Sequence, residues 1–83
     1  MAHRVYVRMI VEIDEEGKVS PVRVFWTDGR VFDVECLLNV GFAVQTRTGG
    51  QGTRYTCRIR GRRAQLFEDG GRWFVETRDL SRA

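Results

Sequence analysis

The residues best equipped to do chemistry in this chain are arginines. From Arg54 to Arg63 the sequence reads Arg-Tyr-Thr-Cys-Arg-Ile-Arg-Gly-Arg-Arg, a strict alternation of basic or polar residues with Tyr55, Cys57 and Ile59 that ends in a glycine. A guanidinium is planar, permanently charged and able to hold a phosphate through two parallel hydrogen bonds, which an ammonium cannot do. Arg54, Arg58, Arg60, Arg62 and Arg63 are therefore the candidate nucleic-acid-binding set. Tyr6, Phe25 and Phe74, expected on outward faces, could serve as platforms on which bases stack, the arrangement by which small β-barrels hold single strands.

Catalytic chemistry has far less to work with. His3 is the sole histidine and sits at the N-terminal end, while Ser20 and Ser81 have no base within a shared motif. Asp33 and Glu35 fall on one strand face, where a solvated pair is expected rather than a two-carboxylate site. Cys36 and Cys57 alternate with apolar residues and read as small buried side chains, not as a bridge. Together with His3 they are too few and wrongly spaced for zinc. The glycine cluster Thr48-Gly49-Gly50-Gln51-Gly52 lacks the Lys-Ser/Thr step into a helix that a phosphate-cradling loop requires. The expectation is a protein that is not an enzyme and that uses no metal and no cofactor.

Those side chains must be carried by one small domain. The 83 residues include 42% hydrophobic residues and nine aromatics, and a chain of this size buries only about 60% of its unfolded surface. The net charge of +3 is uneven: residues 1–41 carry −2 and residues 42–83 carry +5. Thirteen of the fourteen basic residues are arginine. No apolar run approaches the length of a membrane helix and the start resembles no signal peptide, so the cytoplasm is the expected compartment.

The hydrophobic period is two throughout. Val5, Val7, Met9, Val11 and Ile13 mark one face of a first strand, which should turn back at Asp14-Glu15-Glu16-Gly17. Pro21 belongs at the start of the next strand or on an edge. Val22, Val24 and Trp26 then lead to Asp28-Gly29, a strong hairpin signal. Phe32, Val34 and Cys36 share a face of the returning strand. At Leu37-Leu38-Asn39-Val40-Gly41 the alternation fails and a bend or single helical turn is expected, after which Phe42, Val44 and Thr46 lead to a mobile tip at the glycine cluster. In the arginine-rich strand Tyr55, Cys57 and Ile59 face inward, leaving Arg54, Thr56, Arg58 and Arg60 outward. Parity then demands a turn at Gly61, which gathers Arg60, Arg62 and Arg63 at one tip and returns the chain with Ala64 and Leu66 buried. A last turn at Asp69-Gly70-Gly71 brings in Trp73 and Val75. About six or seven short strands at ten-residue spacing predict an all-β fold, a small antiparallel barrel or strongly curled sheet of the SH3-like or OB-like kind. Its core should span about residues 5–76, with residues 77–83 fraying.

Particular residues also resemble a known group. Asp14, Gly17 and Pro21 before a strand, Trp26 to Arg30 as Trp-Thr-Asp-Gly-Arg, Arg54 to Ile59 as Arg-Tyr-Thr-Cys-Arg-Ile and Gly71 to Glu76 as Gly-Arg-Trp-Phe-Val-Glu resemble a family of small uncharacterised bacterial β-proteins. They also resemble the short C-terminal β-domain of some Y-family translesion-polymerase-like proteins. Those domains tend to carry a paired tryptophan where this chain has Gly41-Phe42-Ala43. The resemblance implies a stand-alone module of a kind that accompanies DNA-handling proteins, with no assigned catalytic residues.

Two functions compete on this reading. The first is a nucleic-acid-binding accessory module; against it, the arginines could pair across strands with Glu12, Glu35, Glu68 or Glu76. The second is a protein-interaction or self-assembling module. Tyr6, Ile10, Phe25, Val31 and Phe74, expected outward, would then join two copies face to face.

Overall fold

The computed structural model describes residues 3–76, so the expected fraying of residues 77–83 lies outside the described residues. Seven strands form: β1 (Arg4–Ile13), β2 (Val19–Phe25), β3 (Val31–Asp33), β4 (Cys36–Gln45), β5 (Gln51–Ile59), β6 (Arg62–Asp69) and β7 (Arg72–Glu76). All neighbours are antiparallel, in the order β3-β2-β1-β7-β6-β5-β4.

That order bends the sheet. β3 and β4 stand at its opposite edges, which would lie about 29 Å apart in a flat sheet of strands spaced about 4.8 Å. Only Val34 and Glu35 join them, and the three Cα steps from Asp33 to Cys36 reach at most about 11 Å. The edges must therefore curl toward one another. The link is itself the seam: the Val34 N–H donates to the Val22 carbonyl of β2 (2.9 Å) and the Glu35 N–H to the Arg58 carbonyl of β5 (2.8 Å). The result is a strongly curled all-β half-barrel, as the period-two pattern predicts.

The concave side holds the core. Val24, Trp26, Phe32, Tyr55, Cys57, Ile59, Ala64, Leu66 and Val75 are buried there, with Val5, Val7, Met9 and Trp73 packed around them. Burial of this kind stabilises by about 25 cal/mol per Å² of apolar surface. It also pushes the Cys57 thiol up to about 11, with nearby Cys36 adding to the effect.

Several expectations need correction. Cys36 is exposed, not buried, because it opens the edge strand β4 after the crossing at the seam. The segment Leu37–Gly41 is neither a bend nor a helical turn. It is strand, with register shifts between Leu37 and Asn39 and between Gly41 and Val44, so β-bulges rather than a helix absorb the broken alternation. Pro21 does lie near the start of β2, as its third residue, where β3 pairs only with Arg23–Phe25 and beside the irregularity that pairs Val11 with Pro21 after Ile10 with Arg23; an edge or a bulge is where a missing N–H is tolerated.

The second bulge in β4 has the larger consequence. Ala43 there takes a φ of 50°, and the β4–β5 hairpin doubles back over the convex face, so that Thr46–Gly50 reaches Arg4 of β1 and Glu76 of β7. Beneath it Phe67 and Phe74 stack with ring centres 5.4 Å apart, and both are buried. Phe74 thus faces a second, smaller core and not solvent. At the fold of the hairpin a Cβ on Gly52 would stand 3.2 Å from the Glu68 backbone carbonyl, which has no side-chain freedom to yield. Gly52→Ala should therefore destabilise the protein by about 1–3 kcal/mol, the usual range for overpacking. Urea melts with an unchanged midpoint would show that the hairpin does not need this close approach.

Candidate nucleic-acid interface

The arginine-rich stretch forms β5, the turn and the start of β6. Ile59 pairs with Arg62 and leaves a two-residue loop, in which both Arg60 (φ 50°) and Gly61 (φ 75°) are left-handed. This is a type I′ hairpin, and it matches the twist of the strands it joins. Gly61 meets the requirement without strain, whereas Arg60 bears a steric cost of about 1–2 kcal/mol.

The turn sorts the five candidate arginines into three environments. Arg58 and Arg63 are direct cross-strand partners and both are exposed on the convex face. Antiparallel neighbours sit with Cβ atoms about 4.5–5.5 Å apart, where like charges repel. Among the described residues no ion pair joins Arg58, Arg62 or Arg63 to a carboxylate. Arg60 leaves that face: its positive φ carries the guanidinium to 4.6 Å above the Phe32 ring. Arg62, paired with inward Ile59, is exposed at the end of the hairpin. Arg54 is half-buried between Gly41 and Phe67, and its Nε has no hydrogen-bond partner among the described residues. Its neighbour across one residue, Thr56, is buried instead of outward.

Among the described residues the alternative, cross-strand pairing with glutamates, is not taken up by Arg58, Arg62 or Arg63. Glu35 Oε2 accepts the Gly61 N–H (3.2 Å) and Glu68 Oε2 the Gly71 N–H (2.7 Å), each holding a turn. Glu76 is buried and accepts the N–H groups of Arg47 (3.2 Å) and Thr48 (2.7 Å). Arg4 grips the same tip from the other side, donating from Nε to Thr48 Oγ1 (2.7 Å) and from Nη2 to the Gly49 carbonyl (2.6 Å) while lying 4.0 Å over Phe74. The tip expected to be a mobile loop is thus clamped by two charged side chains. Sequence reasoning missed this clamp because Arg4 and Thr48 are 44 positions apart and belong to no motif.

The expected stacking platforms and contact face also change. Tyr6 and Ile10 are exposed, at 41% and 43%, Phe25 is half-buried and Phe74 is fully buried. Arg72 covers Tyr6 at 3.8 Å and Arg8 lies 5.3 Å from Phe25. These rings already carry guanidinium groups, each such contact stabilising by about 0.5–1 kcal/mol at an exposed site. Tyr6 and Phe25 are thus not bare surfaces for bases.

No protein-family model, no curated protein and no solved structure matches this chain.

The clamp has a pH signature. Burial alone would raise the Glu76 carboxyl, but hydrogen bonds from the Thr48 side chain and from the Arg47 and Thr48 backbone, with the Arg4 charge, outweigh it and hold the group below its ordinary value of 4.5. A depressed carboxylate contributes stability above its unfolded pKa and loses it as pH falls through the folded one. Glu76→Gln should lower stability at pH 7 by about 1–3 kcal/mol, since donors are left unmatched. It should also flatten the loss of stability below about pH 4.5, the unperturbed carboxylate range. Denaturant melts at pH 7 and pH 3 check both, and an identical pH dependence in the two proteins would remove Glu76 from that role.

Proposed function

We propose that this protein is a non-catalytic binding module that engages the sugar-phosphate backbone of nucleic acid through the β5–β6 hairpin. Arg58 and Arg63 supply the principal contacts and Arg62 extends them along the hairpin end. The observation that carries the reading is the Arg58–Arg63 pair: two exposed guanidiniums set opposite one another with no ion pair to a carboxylate among the described residues. Such a pair destabilises the free protein and is relieved by an anion that reaches both groups. The strands beneath are rigid, because Cys57, Ile59, Ala64 and Leu66 are buried on the opposite side. The resemblance to a β-domain that accompanies DNA-handling proteins points the same way.

With Tyr6 and Phe25 covered by arginines and Phe74 buried, this mode reads phosphates, not bases. Binding should accordingly be insensitive to sequence and steep in salt. Arg54 is half-buried and Arg60 is turned onto Phe32, so both contribute less than their place in the sequence suggests.

Fluorescence anisotropy of labelled single- and double-stranded oligonucleotides, titrated over a range of salt concentrations, tests the reading. Arg58→Ala with Arg63→Ala should weaken binding and lower the salt slope by about 1.8 on duplex and about 1.4 on single strands, two phosphate contacts being lost. Removing the like-charge pair should leave the fold intact or slightly more stable. An unchanged slope would place the contacts elsewhere, and no binding at low salt would end the proposal.

A further inference from the structure

β1 changes partners along its length, and in doing so leaves an open edge. β7 pairs with Arg4–Val7 only, since the chain reverses at Gly70-Gly71, whereas β2 pairs with Arg8–Ile13. From Met9 to Ile13 the side of β1 away from β2 therefore has no strand against it among the described residues. Beside it lies a depression of about 440 Å³ lined by Val7, Met9, Val11 and Trp73, with Gly71 and Arg72 at one end. At the other end Ile13, which continues the inward row Val5-Val7-Met9-Val11, is 63% exposed.

The sheet's other edges are blunted. β3 has three residues and β4 is interrupted by two register shifts, which are common devices against edge-to-edge pairing. The register shift beside the open part of β1, between Ile10 and Val11, places its extra residue, Val22, on β2, so β1 itself is not interrupted. The open part runs about 14 Å in extended conformation and contains no proline or lysine.

We propose that a second copy of this chain pairs here, β1 against β1 in antiparallel sense, about a twofold axis at Val11. A second copy is favoured because the edge is complementary to itself in charge. Arg8 and Arg72 stand at its Met9 end; Glu12 and the turn residues Asp14, Glu15 and Glu16 stand at its Ile13 end. A twofold interface sets each end of one copy on the opposite end of the other, so basic meets acidic twice. Centring on Val11 places Met9 opposite Ile13 of the second copy and joins the two inward rows into one apolar strip. Centring on Glu12 would oppose two carboxylates. Centring on Ile10 would bring Ile13 to Val7, a position that Trp73 of β7 already fills. The convex face with Arg58 and Arg63 stays free, so the pairing is independent of nucleic-acid binding.

Size-exclusion chromatography with light scattering should give twice the 9.6 kDa chain mass at roughly 100 µM, a concentration suited to so small an interface. Ile13→Lys, at an exposed position that leaves the fold intact by circular dichroism, should return the monomer mass without altering affinity for an oligonucleotide short enough to occupy a single hairpin. Glu15→Arg with Glu16→Arg should do the same, and adding Arg72→Glu should restore the dimer. Opposed Cα atoms in an antiparallel pair lie about 4.5–5.5 Å apart, within disulfide reach. In a Cys36→Ser background, Val11→Cys should therefore cross-link under copper-phenanthroline oxidation and Glu12→Cys should not. A monomeric wild-type protein at that concentration, or equal cross-linking at positions 11 and 12, would overturn the proposal.

Discussion

The two-residue span of Val34 and Glu35 governs the architecture. Consecutive residues hydrogen-bond to β2 and to β5, near the two ends of a seven-stranded sheet, so no flat arrangement of these strands is sterically open to the chain. Curling gathers the inward rows of every strand on one concave side, where a chain this short can fill a core. The curl is also why β1 serves two partners: its first four residues complete one wing of the sheet with β7, and its remainder completes the other with β2.

Curling makes the opposite face convex, and there the arginines do unlike work. Arg4, with Glu76, clamps the hairpin tip that covers Phe67 and Phe74. Arg8 and Arg72 lie on Phe25 and Tyr6, while Arg60 is turned onto Phe32 of the core. Arg23 and Arg30 form ion pairs with Asp33 and Asp28. A guanidinium is flat, weakly hydrated and forked, so it can seal an apolar ring and satisfy carbonyls together. Among the described residues the positive charge available to a partner is therefore smaller than the arginine count implies, and its densest group is Arg58, Arg62 and Arg63.

The surfaces proposed for nucleic acid and for a second copy are physically separate. β7 and β6 lie between β1 and β5 in the sheet. One surface presents side-chain charge on a face, and the other joins backbone groups along an edge with complementary charges at its two ends. A dimer formed through β1 would display two copies of the arginine hairpin, and two linked contacts bind a long polyanion more tightly than one.

Local chemistry alone determined the strands and most of their joints. Period-two patterning marked the inward rows of β1 and β5, Asp28-Gly29 and Gly61 marked tight turns, and parity at Gly61 foretold burial of Ala64 and Leu66. These features depend on a few adjacent residues and on φ preferences, which are written in the sequence. Strand order, the bulges of β4 and the fate of the convex face were decided only in three dimensions. Phe74 obeys the alternation that should expose it, yet the tip of the β4–β5 hairpin and Arg4 close over that face and bury it; Thr56, on the same face, is buried as well. Arg60 follows the same parity as Arg58 until a left-handed φ sends it to the other side. Alternation reports which side of a strand a residue occupies; what lies against that side is set by contacts as distant as Arg4 and Thr48, and no local pattern encodes them.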